Sequence, residues 1–383
     1  MIKEIDMNFD KITGYLDSLQ ELGIPSVDCI ICKNHKQLYR HMNGTVNLER
    51  TAPVTEATQY LMFSMTKIQT MTAIMQLEEQ GKLSLEDKVG KYLPAYRRLT
   101  VKNRVNGVID TLSEDEPLLI KHLVSMQSGL DYDLQRPGIV RVLRERGEKA
   151  TTRELVEAFP ESPLSFRPGE HFQYSLSHDV AAAVVEVVSG MSFGEYLKRN
   201  IWEPLGMKRT YFAKPMNTEP ELAQQYIYGD GGVIVPMDQS CCYQLSEAYE
   251  SGGAGLISCT EDYSILADTI ANGGTATNGA VILKPETVDV IRTNLLSPTA
   301  REDIARTMGR VGYGYGCGMQ ILMEPEKLGS PAPAGVFGWD GAAGSCCIMD
   351  RENGISLVFL MHVRNMGIAY SVIHPKLRDL LYE

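Results

Sequence analysis

The order of signals along the chain predicts an α+β fold, with an antiparallel sheet flanked by helices and a second lobe that is mainly helical. Strand and hairpin patterns cluster over 26–44 and again after Gly252, whereas helical patterns joined by loops with Pro and Gly fill the middle. A length of 383 residues also exceeds what one hydrophobic core ordinarily supports, so two lobes are expected. The sheet lobe is assigned to 1–95 and 250–383, and the helical lobe to 96–249.

Residues 1–23 carry Ile5, Phe9, Ile12, Leu16 and Leu19 at helical spacing among scattered acids, as a surface helix docked on a core would. Two extended runs around the polar turn from Lys33 to Lys36 read as a β-hairpin. A loop from Thr45 to Gln59 leads to a helix that opens at Ser64. Its inward positions are Ile68, Met71, Ile74 and Met75, and it stops near Gly81, which suits the left-handed position past a helix end. A short element ended by Pro94 follows.

Farther along, Leu118–Met126 and Thr152–Phe159 read as short helices stopped by Ser128-Gly129 and Pro160. A turn at Pro168-Gly169 and an aromatic run precede a helix with Val180, Val184 and Val188 inward, closed by Gly190. Ser192 and Glu195 have capping-box spacing for the next helix. After Gly252, SGGAGLIS is extended, and Thr260-Glu261-Asp262 opens a helix that ends at Gly273-Gly274. Strands over Val336–Met349 and Ile355–Val363 meet at a turn on Asn353-Gly354. A last helix carries Val372, Leu377 and Leu380.

The chemistry starts at Ser64-Met65-Thr66-Lys67, an S-x-x-K tetrad at the mouth of a helix. Residues three apart share a helix face, so the Lys67 amine reaches the Ser64 hydroxyl. A serine hydroxyl becomes a nucleophile only with an adjacent base or cation, and unpaired N–H groups at a helix start favour developing negative charge. An ordinary N-cap serine has the same local pattern. Context separates the two readings: Tyr174-Ser175-Leu176 follows in the helical lobe and Trp339-Asp340-Gly341 on a late strand.

In serial position and setting, these three motifs resemble those of the serine β-lactamase and penicillin-binding-protein superfamily: S-x-x-K, Y-x-N and K-T-G. The flanks FSMTKIQTMTAIMQLEEQGKLSLEDKV, HLVSMQSGLDYD, FRPGEHFQYSLSHDV, GMSFGEYLKRNIWEPLGM and GWDGAAGS extend the likeness over about residues 24 to 363. They resemble the branch of class C β-lactamases, D,D-peptidases and family VIII carboxylesterases. The resemblance implies a β-lactamase/transpeptidase-like fold with its active site in the cleft between the lobes. It also implies Ser64 as nucleophile, Lys67 and Tyr174 as proton shuttle, and an oxyanion hole from the N–H groups of Ser64 and Ala342. Gly341 would let substrate approach the strand edge.

Two departures bear on substrate. Leu176 stands where the second motif has Asn, and Trp339-Asp340 stands where the third has Lys-Thr. An indole cannot hold a substrate carboxylate as a lysine does, a contact worth roughly 1.5–3 kcal/mol. Y-S-L and W-x-G resemble the esterase members, so a carboxylesterase acting on a small-molecule ester or amide is expected, with Trp339 as an aromatic wall. The alternatives are a β-lactamase or D,D-peptidase, and a non-catalytic binding paralogue.

A net charge of −11 argues against nucleic acid or an anionic membrane as partner. Residues 1–23 lack a signal-peptide h-region, and no apolar run approaches the roughly 18 residues of a span; the Asp179 to Ser189 run is broken by Glu186. A cytoplasmic location is expected, and eight cysteines fit a reducing compartment. Cys29 and Cys32 form C-x-x-C without a second pair, inside an apolar run that reads as a buried strand, so they are read as structural thiols. The seven histidines lack metal-ligand spacing, and no metal or other cofactor is expected.

Overall fold

A computed structural model describes residues 7–102 and 107–383; Ile5 lies outside them. Seven strands form the main sheet in the spatial order Tyr313–Tyr315, Gln320–Leu322, Phe337–Asp340, Cys346–Asp350, Ile355–Leu360, Ser26–Lys33 and Lys36–Gly44. Every neighbouring pair is antiparallel, and Ile30 lies opposite Val358 on one side and Arg40 on the other. The N-terminal hairpin is thus stitched onto the last long strand. Its turn places Asn34 and His35 at φ 50° and 66°, the paired left-handed conformation of a tight hairpin.

Strand alternation sends residues of Ile355–Leu360 to two cores. Leu357 and Phe359 pack with Ile12, Leu16 and Leu377 beneath the helices of the two chain ends. Val358 and Leu360 face the larger core with Leu266 and Ile270 from the helix Thr260–Ala271. A strand covered on both faces is apolar throughout, and all six residues are buried. Cys346 and Cys347 divide between the same two cores. All eight cysteines are unpaired; burial pushes the Cys32 thiol up to about 12 and Cys29 higher still.

The helix Thr66–Glu79 departs from its expected one-sided burial, since every residue from Thr66 to Leu77 is buried. Its polar side chains are tied individually to the surrounding layers. The Thr70 hydroxyl donates to Gly252 O at 2.6 Å, Gln69 accepts from Trp202 Nε1 at 2.6 Å, and Gln76 donates to Asn200 O and Ile282 O at 3.0 Å. Central placement with polar side chains anchored to several layers makes this helix the post on which the site is mounted, although Gln69 Nε2 and Gln76 Oε1 have no partner among the described residues.

Three helices escape the sequence reading: Pro137–Arg146, Pro285–Ile291 and Pro298–Met308. Each starts on a proline, which resembles loop punctuation in sequence but fits a first helical turn, where its missing N–H costs nothing. The middle of the chain also holds short strands at Thr100–Lys102, Ile109–Thr111, Tyr211–Phe212, Tyr226–Tyr228 and Ile234–Pro236. Ser192 caps Glu195 N at 3.3 Å. Val372 lies in a π-turn before the final helix, His374–Leu380, and is exposed. Among the described residues no single helix is long and apolar enough to cross a membrane.

Candidate active site

Ser64 sits in a single 3-10 turn, Phe63–Met65, that runs directly into the Thr66–Glu79 helix. The turn is held from behind, because Tyr60-Leu61 pairs with Leu256–Ser258 and Met62 N donates to Leu256 O at 2.8 Å. Phe63 is fully buried with φ +44°, a left-handed conformation unfavourable for a bulky side chain. Such strain, on the order of 1–3 kcal/mol, persists only where packing over-determines it, and here it aims Ser64 out of an otherwise buried segment.

The spacing of the tetrad brings Lys67 Nζ to 3.1 Å from Ser64 Oγ. Lys67 is completely buried and also reaches Tyr132 Oη at 2.9 Å and Gly253 O at 2.7 Å. Burial holds its pKa down to about 7, against the opposing pull of the carboxyls of Asp179 and Asp340. A lysine so placed is substantially neutral at pH 7 and able to accept a proton. Asp179 is itself buried and accepts from the hydroxyls of Tyr249 at 2.8 Å and Ser251 at 2.6 Å.

Tyr174 lines the same cavity as Ser64. Its hydroxyl accepts from Trp339 Nε1 at 3.0 Å, while its ring centroid lies 4.6 Å from Lys67 Nζ. Burial pushes the phenol well above its ordinary range, so it is a neutral hydroxyl near pH 7. The tyrosine bonded to Lys67 is Tyr132, which the sequence reading passed over. It lies in the quoted segment HLVSMQSGLDYD, on a loop clamped by Asp131 accepting from Arg136 at 2.9 and 2.7 Å. Leu176 is buried in the main core.

On the strand Phe337–Asp340, Trp339 is 1% exposed and held between Tyr174 and Tyr315, with ring centroids at 5.6 and 5.0 Å. Glycine at 341 has a structural cause as well. A Cβ there would lie 2.5 Å from Met62 O, so the turn carrying Ser64 also requires the bare backbone. A cation also returns to this end of the site from outside the three motifs. Arg310 Nη2 donates to Asp340 Oδ2, and both residues are buried.

Ser64, Tyr132, Tyr174, Tyr243, Trp339, Tyr370, Arg310, Asp340 and Ala342 line one cavity of about 560 Å³. Among the described residues no group of three or more His, Cys, Asp and Glu is arranged to hold a metal ion. The sequence profile of the β-lactamase family matches residues 11–367. The chain belongs to the β-lactamase family. Among its β-lactamase-family relatives, esterase EstB of Burkholderia gladioli is 30% identical, with 95% of this chain and 92% of the relative covered. A putative D-alanyl-D-alanine carboxypeptidase of Escherichia coli is 26% identical over 96% and 85% of the two chains. The solved structure of EstCE1, a hydrolase with promiscuous acyltransferase activity, shares the fold with a TM-score of 0.79 at 24% identity, covering 98% of each chain.

Proposed function

We propose that this β-lactamase-family serine hydrolase is a carboxylesterase that forms an acyl-enzyme on Ser64. The observation that carries the reading is Ser64 Oγ, 3.1 Å from a buried Lys67, at the floor of a cavity walled by aromatic rings. Esterase activity in a relative covering nearly the whole chain supports it. The cation in the cavity lining, Arg310, is engaged by Asp340 and leaves no free charge for a substrate carboxylate.

In the proposed reaction neutral Lys67 takes the Ser64 proton as Oγ bonds to the ester carbonyl carbon. Backbone N–H groups of Ser64 and Ala342 hold the oxyanion. The C–O bond to the alcohol then breaks, and the alcohol departs with the proton carried by Lys67 and relayed through the Tyr174 hydroxyl. Water repeats the sequence in reverse, releasing the acid and restoring Ser64. The division at 96 and 249 into a sheet lobe and a helical lobe, with the site in the cleft between them, belongs to the same proposal. So does a cytoplasmic location, supported by eight unpaired cysteines.

Fluorophosphonate labelling followed by peptide mapping should place the adduct on Ser64, and Ser64→Ala should abolish both label and turnover. The substrate class is tested by comparing kcat/KM for p-nitrophenyl butyrate and penicillin G. The ester should be strongly preferred; equal or better turnover of penicillin G would refute the esterase reading in favour of a β-lactamase.

A further inference from the structure

Arg310 follows the helix Pro298–Met308 through Gly309, whose φ of +68° turns the chain toward the cavity. Its guanidinium lies 6.0 Å from the Trp339 ring and donates through Nη2 to Asp340 Oδ2, while Nε has no hydrogen-bond partner. Both members of the pair are 7% exposed, and both line the cavity that holds Ser64. His374 Nδ1 is 3.9 Å from the same Asp340 oxygen, but burial lowers its pKa and its Nε2 is committed to Gly344 O at 2.8 Å. Asp340 therefore neutralises Arg310 largely alone.

This arrangement has a direct consequence for the acyl group. A guanidinium in the lining of the cavity that holds the reactive serine is a ready-made carboxylate receptor. Asp340 already fills that role from within the protein, and its own charge repels a second carboxylate.

We propose that Asp340 is a specificity-determining residue: by masking Arg310 it restricts the site to uncharged acyl groups and excludes those that bear a carboxylate. The inference rests on the esterase reading and names the substrate class within it. Asp340 and Arg310 line the cavity together with Trp339 and Tyr174, so a single side chain sets the charge of this part of the wall. Removing its charge, with shape kept, converts the same wall into an anion subsite without any new cation being introduced.

The test compares 4-nitrophenyl hexanoate with mono-4-nitrophenyl adipate, esters of equal acyl length that differ in a terminal carboxylate. The quantity read is the ratio of their kcat/KM values at one pH. Asp340 also influences Lys67, but that effect acts on both esters and cancels in the ratio. The parent should prefer hexanoate, and Asp340→Asn should raise the adipate-to-hexanoate ratio at least tenfold. In Asp340→Asn combined with Arg310→Gln the gain should disappear. A ratio within twofold of the parent in Asp340→Asn, or a gain that survives loss of Arg310, overturns the proposal. If Asp340→Asn does not fold, Arg310→Gln alone is decisive: the ratio should fall at least threefold, and an unchanged or raised ratio overturns the proposal. A parent that hydrolyses neither ester refutes the esterase reading itself, and this inference with it. A parent active on hexanoate but indifferent to Asp340 refutes only the inference.

Discussion

Replacing Tyr132 by Phe isolates the contact that the structure adds to the serine–lysine pair. Lys67 Nζ has three oxygen partners, at 3.1 Å (Ser64), 2.9 Å (Tyr132) and 2.7 Å (Gly253), and the substitution deletes the second. The ring keeps its packing against Tyr174 and Tyr243, with centroids at 5.5 and 5.6 Å, so the fold should persist. A hydrogen bond to a charged group is worth roughly 1.5–3 kcal/mol and one between neutral groups roughly 0.5–1.5. With a pKa of about 7, Lys67 populates both forms near neutrality, which sets the loss at about 1–3 kcal/mol. At about 1.4 kcal/mol per decade, kcat/KM on p-nitrophenyl butyrate should fall between roughly fivefold and 150-fold. A second signature accompanies it. The Tyr132 oxygen accepts from the ammonium form and stabilises it, so its loss should lower the Lys67 pKa and move the acid limb of the pH–rate profile to lower pH. Stopped-assay kinetics across pH, with circular dichroism as a control for folding, measure both. A variant within twofold of the parent, with its acid limb unmoved, would show that Tyr132 is only wall.

The pH profile of the parent is itself a prediction: because burial lowers the Lys67 pKa to about 7, the neutral base is present above that value and lost below it. For an ester without a titratable group, kcat/KM should climb through about pH 7, and a rate that declines across that window would contradict Lys67 as base. Trp339→Phe keeps an aromatic ring, though a smaller one, and removes the N–H donated to Tyr174 Oη at 3.0 Å, so a loss of about 0.5–1.5 kcal/mol from that hydrogen bond, or up to roughly tenfold in kcat, is expected. An unchanged kcat would mean that the indole orients nothing. Gly341→Ala places a methyl 2.5 Å from Met62 O, and the overpacking should cost about 1–3 kcal/mol in thermal denaturation while displacing Ser64. Parental melting temperature and activity together would show that the turn yields freely.

Much of the fold and part of the site were legible because they depend on local chemistry. The hairpin declares itself through Asn34 and His35 between two strands, and the helix at Thr260 through its acidic first turn. The three-residue spacing of Ser64 and Lys67 places their side chains together on any helix, so the 3.1 Å contact follows from sequence alone. The helices that begin at Pro137, Pro285 and Pro298 were hidden because a proline's meaning depends on whether a helix follows it.

The remainder of the site depends on residues distant in sequence. Tyr132 meets Lys67 across 65 positions, Gly253 meets it across 186, and Arg310 meets Asp340 across 30. None of these partners has a spacing that predicts the meeting. The lowered pKa of Lys67 is likewise invisible in the sequence, where the same tetrad on an exposed helix would leave the amine charged at pH 7. By itself, therefore, the sequence singled out the candidate nucleophile Ser64, its lysine and the aromatic residue at the third motif. Only the tertiary structure decided the burial that lowers the pKa of that lysine and the pairing of Arg310 with Asp340 in the cavity lining. Both depend on burial and on partners delivered by other elements, and the desolvation and Coulomb energies that govern them act through space, without regard to the order of residues along the chain.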